Sequence, residues 1–161
     1  MNNLIVYPSQ YLDTLCETIS KFTEDIRNEL DNMKEIMLQH KGIGLAANQI
    51  GINKRMFIML QQSDKSIVEF INPEITEQSP NFIMDKEGCL SFPNIALDIR
   101  RSEHVIIKAY NRKEEEFQVM LYGIEARCAL HEVEHLDGKT FLQHVSRQQR
   151  RYVLRQLNKK R

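Results

Sequence analysis

Apolar residues at helical spacing, together with residues that begin or end helices, predict four helices in four stretches of the chain. The four stretches cover residues 9–20, 23–41, 123–138 and 146–161. In the second, the apolar stripe consists of Ile26, Leu30, Met33 and Met37. Ser146 can cap the last helix, whose inward face would contain Tyr152, Val153 and Leu157.

Other stretches alternate apolar and polar residues, or are short apolar runs bounded by turn residues, as is typical of strands. They cover residues 55–60, 67–71, 74–84, 104–110, 116–122 and 141–145. Asn72-Pro73 is expected to end the second of them. Residues 111–115 separate two alternating stretches and predict a hairpin. The chain therefore combines helices with strands.

The composition is that of an ordinary globular protein. The 161 residues are 42% hydrophobic and 27% charged, with a formal net charge of zero, which indicates neither DNA nor a membrane as partner. This length predicts one domain over residues 1–161. No stretch reaches the roughly 18 apolar residues of a membrane span, and residues 1–8 lack the features of a signal peptide.

The three cysteines are Cys16, Cys89 and Cys128, an odd number at wide spacing. This argues against a disulfide framework and predicts a reducing, cytoplasmic setting. A single cysteine in such a protein is a small buried residue, a metal ligand or a nucleophile.

The pattern H-E-x-x-H is formed by His131, Glu132 and His135. On a helix, residues four apart project from one face and are separated by about 6 Å along the axis, so both imidazoles can bind one metal ion. The carboxylate of Glu132 can then reach a water on that metal, as in hydrolysis by a metal-activated water. Alternatively, the two histidines are only surface residues, because so short a pattern also arises by chance.

A catalytic metal site usually has three protein ligands and one open position, so a third ligand is expected from elsewhere in the chain. The candidates are Cys89, Cys128, His40, His104, His144 and the carboxylates. Cys128 shares the helix face of His131 and could compete. Cys89 is favoured because its neighbours Gly88 and Leu90 offer backbone groups beside the metal.

Residues 42–51 contain three glycines and two alanines. Such a composition indicates a sharp turn or a close approach of the backbone to another group. The spacing is not that of a phosphate-binding loop. Gln49, which can both donate and accept a hydrogen bond, is either a local turn-maker or a substrate contact.

Three stretches resemble the signature motifs of the peptide deformylase family. Residues 42–49 read Gly-Ile-Gly-Leu-Ala-Ala-Asn-Gln and resemble G-x-G-x-A-A-x-Q. Residues 87–91 match E-G-C-L-S, and residues 131–138 resemble H-E-x-D-H-L-x-G. The motifs occur in the family's order and spacing, and the resemblance runs through nearly the whole chain. The chain is therefore identified as a member of this family.

The resemblance implies an α+β fold, in which antiparallel β-sheets wrap around a central helix bearing H-E-x-x-H, with N-terminal and C-terminal helices. It also implies that Cys89, His131 and His135 bind one divalent metal ion. Fe²⁺ is implied as the native ion, with Zn²⁺ or Ni²⁺ as replacements. A thiolate suits both iron and zinc, so the ligands do not choose between them.

The implied reaction removes the N-formyl group from the formyl-Met of nascent polypeptides and releases formate. A metal-bound hydroxide would be the nucleophile, with Glu132 as general base and then acid. The developing oxyanion would be met by the metal, the Leu90 backbone N–H and the Gln49 side chain. The peptide would lie as an added strand, with its methionine in an apolar pocket. The implied substrate contacts are Ile43, Gly44, Leu45, Glu87, Gly88, Arg127 and Cys128.

The sequence departs from the family pattern at four positions. Pro is common where Asn48 stands, which should loosen that loop slightly, and Gln is common where Leu130 stands. Glu134 replaces an aspartate, and we predict that it pairs with Arg101. An aliphatic residue is usual at Arg127, whose stem is expected to line the pocket while its guanidinium reaches solvent.

Two other functions remain open from the residues alone. A zinc endopeptidase also uses H-E-x-x-H, but would need neither Cys89 nor Gln49. An inactive binder of peptide N-termini is disfavoured by the intact Glu132. Release of formate without internal cleavage separates these functions from deformylation.

Residues 146–161 carry seven Lys or Arg and no acidic residue. A solvated helix face is the ordinary explanation. The alternative is docking on ribosomal RNA, which should weaken steeply with salt.

Overall fold

The computed structural model describes residues 3–159 and has the expected α+β fold. The helices are α1 (Glu24–Gln39), α2 (Gly123–Leu136) and α3 (Arg147–Asn158). The strands are β1 (Gly44–Ala46), β2 (Met56–Leu60), β3 (Ile67–Gln78), β4 (Phe82–Gly88), β5 (Ala96–Ser102), β6 (His104–Tyr110) and β7 (Glu116–Tyr122). Short 3₁₀ helices form at Gln10–Asp13, Ala47–Ile50 and Phe141–His144.

All strand pairs are antiparallel and form two sheets. Five strands lie in the order β1-β2-β3-β6-β7, so β1 is an edge strand, and β4 pairs with β5 in a separate sheet. Both sheets contact α2, the helix that carries H-E-x-x-H. The family's implied arrangement, sheets around a central helix, is therefore confirmed.

Two apolar clusters fix the two long helices. The inner face of α2 packs on the larger sheet, and this cluster includes Phe57, Phe70, Val105, Ile107, Ala129 and Leu136. The predicted stripe of α1 is confirmed, because all four of its residues are buried against β1, β2 and β3. Each such side chain contributes about 1.5–3 kcal/mol when removed from water. Among the described residues, no helix is both long and apolar enough to cross a membrane.

The helix predicted over residues 9–20 is wrong. Only Gln10–Asp13 form a 3₁₀ helix, and the chain then runs extended. Cys16 donates its backbone N–H to Leu136 at the end of α2 (2.8 Å), and Leu15 is 66% exposed. The apolar spacing was misleading because the backbone partners of this segment lie far away in the sequence.

Asn72-Pro73 was expected to end a strand, but β3 continues through these two residues to Gln78. Asn72 has a left-handed φ of 51°, and the strand register shifts here, so these residues form a bulge. The Asn72 side chain accepts from the Ile19 N–H and donates to the Ile19 carbonyl, both at 2.8 Å. The Asn72 side chain thereby stabilises a bulge within β3, at a position where the sequence pattern predicts the end of a strand.

The region around α3 differs from expectation in two ways. Phe141–His144 form a 3₁₀ helix and not the predicted extended piece. Tyr152 is 60% exposed, so only Val153 and Leu157 face inward. The Ser146 cap is confirmed, since its hydroxyl accepts from the N–H of Gln149. Residues 160–161 of the predicted helix lie outside the described residues.

Candidate metal centre

Three potential metal ligands come together where β4 ends against α2. The ligand atoms of Cys89, His131 and His135 lie within 4.8 Å of one another. The Nε2 atoms of the two histidines are 3.1 Å apart, and the Cys89 sulfur is 3.2 Å from Nε2 of His135. Metal–nitrogen and metal–sulfur bonds of about 2.0–2.3 Å fit such a cluster. Within residues 3–159 it is the one group of this kind.

Cys128 does not compete with Cys89 for the metal. Its sulfur lies 3.6 Å from the carbonyl oxygen of Ile43 and outside the cluster. Burial raises the pKa of Cys128 well above its usual value, which keeps the thiol neutral. Position therefore favours Cys89 over Cys128 as the candidate third ligand.

Glu87 orients the first histidine ligand. Its carboxylate lies 2.5 Å from Nδ1 of His131, which leaves Nε2 directed at the cluster. Arg101 binds the same carboxylate through two nitrogens, at 2.7 and 3.0 Å. Burial alone would raise the pKa of Glu87, but the hydrogen bonds from His131 and Arg101 lower it. Glu87 is thus an ionised carboxylate behind a candidate histidine ligand, and carboxylates commonly support metal-binding histidines in this way.

The predicted pair between Glu134 and Arg101 is confirmed. Nη1 of Arg101 lies 2.5 Å from the Glu134 carboxylate, and Nε2 of His144 lies 2.7 Å from the same oxygen. Burial would raise the pKa of Glu134, but the contacts with His144 and Arg101 lower it. Because Arg101 binds Glu87 as well, it joins β4 to the helix that carries both histidines.

The two histidines differ in their charge environment. Burial lowers the pKa of His135 well below its usual value, which favours the neutral imidazole that a metal requires. At His131, burial also acts to lower the pKa, but the negative charge of Cys89 and the contact with Glu87 raise it overall. A metal ion would compete with the proton for Nε2, since metal binding releases protons from its ligands.

Glu132 lies beside the cluster with spare hydrogen-bonding capacity. It is 4% exposed, and its Oε2 is buried without a partner among the described residues. Burial raises the pKa of Glu132 to about 7. A carboxyl group that titrates near neutral pH can both take and return a proton, as a general base and acid must.

The Gln49 side chain is fixed at both ends of its amide. Its Oε1 accepts from the Ala46 backbone N–H at 2.9 Å. Its Nε2 lies 3.1 Å from the Ser91 hydroxyl and 3.5 Å from the Cys89 sulfur. The amide oxygen thus closes the local turn at Ala46, while the residue also lines the cavity beside the cluster. In the part of the chain that the structure describes, the Leu90 backbone N–H donates to no protein group.

A cavity of about 400 Å³ opens beside the cluster. Its lining includes Ile43, Gly44, Glu87, Gly88, Arg127 and Cys128 from the predicted substrate contacts, together with Gln49, Leu90 and Glu132. Leu45 is the exception, because its side chain is fully buried in the cluster around α1. A Cβ atom added to Gly44 would lie 2.5 Å from both Cys128 and Glu132, so the close packing of β1 on α2 requires glycine.

Arg127 corrects one expectation. Its stem lines the cavity, but its guanidinium does not reach solvent, since the residue is only 7% exposed. The guanidinium donates to Glu87 (3.1 Å) and to the backbone carbonyls of Ile83 on β4 (3.0 Å) and Ile99 on β5 (2.8 Å). The charge is therefore paired and satisfied inside the protein, as buried arginines must be.

We expect Arg127→Met to lower the free energy of unfolding by about 1–3 kcal/mol, because it leaves buried acceptors without a donor. Arg151→Met, on the exposed side of α3, is the control and should change stability by less than about 0.5 kcal/mol. Denaturant unfolding measures both. Equal stability of the two variants would contradict the structural role of Arg127.

Sequence reasoning missed the anchoring of Asn48. Its amide donates to the backbone carbonyls of His135 (2.5 Å) and Tyr11 (3.2 Å), so it ties its loop to α2. These two bonds act against the slight loosening that was expected of a residue other than proline. The partner of Gln49 was also missed, although Ser91 belongs to the second motif and could have been considered from it. Leu130 is buried in the cluster between α2 and the larger sheet.

Comparison with known proteins gives consistent matches. The profile of the family described as polypeptide deformylase matches residues 1–151. Peptide deformylase 1 of Bacillus subtilis is 37% identical over 147 residues, which is 91% of each chain. Peptide deformylase of Thermodesulfovibrio yellowstonii is 38% identical over 143 residues, 87% of this chain and 86% of that relative.

Solved structures are similar over the same length. The peptide deformylase from Ehrlichia chaffeensis superposes with a TM-score of 0.93 at 30% identity, covering 98% of this chain and 94% of that one. The peptide deformylase from Thermotoga maritima gives a TM-score of 0.86 at 36% identity, covering 91% and 98%. The similarity thus includes both sheets and the helix with the histidine pair.

Proposed function

The chain belongs to the peptide deformylase family, and from this premise we propose how its own residues perform the family's reaction. It is a hydrolase that removes the N-formyl group from the formyl-Met of nascent polypeptides and releases formate. The observation that carries the residue assignment is the convergence of Cys89, His131 and His135 beside a buried carboxylate with an unpartnered oxygen.

One sulfur and two imidazoles would bind a single divalent ion at this site. The donors fit, since His135 is kept neutral and His131 is oriented by Glu87. A bound ion would lower the pKa of a water and polarise the formyl group. We propose Fe²⁺ as the native ion and Zn²⁺ or Ni²⁺ as replacements. Metal analysis of protein purified without oxygen tests this, and iron-free active protein would contradict it.

Glu132 is the proposed general base and acid. Its free Oε2 takes the proton of the attacking water and returns it to the nitrogen that leaves when the formyl C–N bond breaks. Burial and a pKa of about 7 suit both steps at neutral pH. Gln49 Nε2 and the Leu90 N–H are the proposed donors to the formyl oxygen as negative charge develops there.

The edge strand β1 is the proposed binding site for the peptide backbone. Leu60 donates to the Ile43 carbonyl at 2.8 Å, so residues 43 and 45 face β2 and the backbone groups of Gly44 face outward. A peptide added at this edge, next to Gly88, is held by backbone contacts that read little sequence. The methionine side chain would enter the cavity between Ile43, Arg127 and Cys128.

The decisive assay follows a formyl-Met tripeptide and measures formate and peptide products separately. We expect one formate per peptide, with no cleavage of internal peptide bonds. Internal cleavage would favour the endopeptidase alternative, and binding without turnover would favour the inactive binder.

We further propose that residues 1–161 act as one catalytic domain in the cytoplasm, and that α3 contacts the ribosome. Four arginines on α3 are exposed, while Val153 and Leu157 attach the helix to the protein. The exposed arginines are Arg147, Arg150, Arg151 and Arg155. None of them lines the cavity, so docking through them would leave the active site open to a nascent chain.

Replacing Arg147, Arg151 and Arg155 by Gln is expected to weaken co-sedimentation with ribosomes at low salt. Binding of the unmodified protein should fall steeply as salt rises, because phosphate contacts release counterions. Turnover of a free formyl peptide should not change. Ribosome binding that changes neither with salt concentration nor with these substitutions would contradict docking through α3.

A further inference from the structure

Gln49 and Ser91 are joined side chain to side chain, although they belong to different motifs. Gln49 lies in the 3₁₀ helix after β1, and Ser91 lies in the loop that follows β4. Both are almost fully buried, at 1% and 0% exposure. The Gln49 Nε2 donates to the Ser91 hydroxyl at 3.1 Å. Ser91 therefore accepts a hydrogen bond from an amide that lines the cavity.

The extended segment near the start of the chain bonds to the backbones of the same two residues. Ile5 donates its N–H to the Gln49 carbonyl at 2.7 Å, and Tyr7 donates to the Ser91 carbonyl at 2.9 Å. The Tyr7 ring also stacks on Phe92, with centroids 4.8 Å apart and planes at 20°. The segment thus bridges the two motif loops through their backbone carbonyls.

We propose that Ser91 and the segment Ile5–Tyr7 are positioning residues for the oxyanion donor Gln49. The Gln49 amide oxygen is bound by Ala46, and one amide hydrogen is bound by Ser91. The other amide hydrogen is then directed toward the three candidate metal ligands, as the 3.5 Å distance from Gln49 Nε2 to the Cys89 sulfur indicates. This inference rests on the proposed role of Gln49.

The orientation matters because an amide has a donor end and an acceptor end of nearly equal shape. If the amide rotates, its oxygen faces the developing negative charge, and stabilisation of the transition state becomes repulsion. Preorganised donors avoid this cost, since they need no rearrangement during the reaction. A fixed amide lowers the barrier without changing how tightly the ground state binds.

The test measures kcat, KM and bound metal. We expect Ser91→Ala and Ile5→Pro each to lower kcat about tenfold, part of the 10²–10³-fold effect of losing such a donor outright. KM and metal content should change less than about twofold, because the lost interaction acts only in the transition state. Ile5→Ala keeps the N–H donor and so separates loss of that donor from loss of the side chain, with kcat expected well above that of Ile5→Pro.

A double-mutant cycle with Gln49→Leu separates positioning from general stabilisation. Once Gln49 is absent, Ser91→Ala and Ile5→Pro should have less than about a twofold further effect on kcat. The same tenfold loss in both backgrounds would overturn the inference. A Gln49→Leu variant with normal kcat would overturn the proposed role of Gln49 itself. Normal kcat in both Ser91→Ala and Ile5→Pro would overturn the positioning role alone.

Discussion

Replacing Glu132 by Gln is expected to lower kcat by about 10²–10⁴-fold, the usual contribution of general acid–base catalysis. Gln keeps the shape of the side chain but cannot accept a proton at neutral pH. The three candidate ligands are untouched, so bound metal should stay near one ion per chain. Formate release under saturating substrate, with metal analysis of the same sample, measures both quantities.

Glu125→Gln is the matched control, because Glu125 lies on the same helix but does not line the cavity. Its carboxylate accepts from the backbone N–H of Gln62, in the turn that follows β2. This variant should keep kcat within about threefold, since no catalytic proton passes through it. If Glu132→Gln behaved like the control, the buried oxygen of Glu132 would have no part in proton transfer.

Replacing Cys89 by Ser is expected to lower metal affinity more than 100-fold and to abolish formate release. Losing a residue that only supports a ligand costs about 10–100-fold in metal affinity, so losing a ligand should cost more. A serine hydroxyl is not ionised at neutral pH, whereas the thiolate is the metal-binding form of cysteine. Equilibrium dialysis against a metal buffer gives the affinity.

Cys16→Ser is the control for the loss of a buried cysteine. Cys16 lies in the apolar cluster between α2 and the larger sheet, outside the ligand group. The Cys16→Ser variant should be less stable than the unmodified protein, because it buries a hydroxyl group, but its metal affinity should stay within about threefold. Equal metal loss in both variants would mean that Cys89 acts through stability and not through coordination.

The regular helices and strands around the site were predictable because the spacing of their own apolar side chains determines which face is buried. The stripe of α1 and the alternation of β6 and β7 each follow from burial of one face. The H-E-x-x-H spacing likewise places His131 and His135 on one helix face without knowledge of the rest of the fold.

The errors occurred where a segment depends on distant partners. Leu15 and Cys16 run extended because they pair with the end of α2, more than a hundred residues away in the chain. Arg127 donates to backbone carbonyls of β4 and β5. Every residue has a backbone carbonyl, so the residue types in the sequence do not indicate which carbonyls will accept. Asn72 forms a bulge because its side chain bonds Ile19.

Pairing of the charged residues was partly predictable. The pair between Glu134 and Arg101 was expected as a replacement for an aspartate pair, and the longer side chain does reach. The additional contacts of Arg101 with Glu87, and of Glu134 with His144, depend on how β5 and the 3₁₀ helix at Phe141–His144 approach α2. Contacts of one side chain with several partners could therefore be identified only from the folded structure.

The most direct measurement is a titration of metal-free protein with Fe²⁺ in the absence of oxygen, followed by formate release. We predict no turnover of a formyl-Met peptide without metal, and a linear rise that stops at one ion per chain, because one thiolate and two imidazoles make one site. Formate release by the metal-free chain, or a requirement for a second ion, would contradict it.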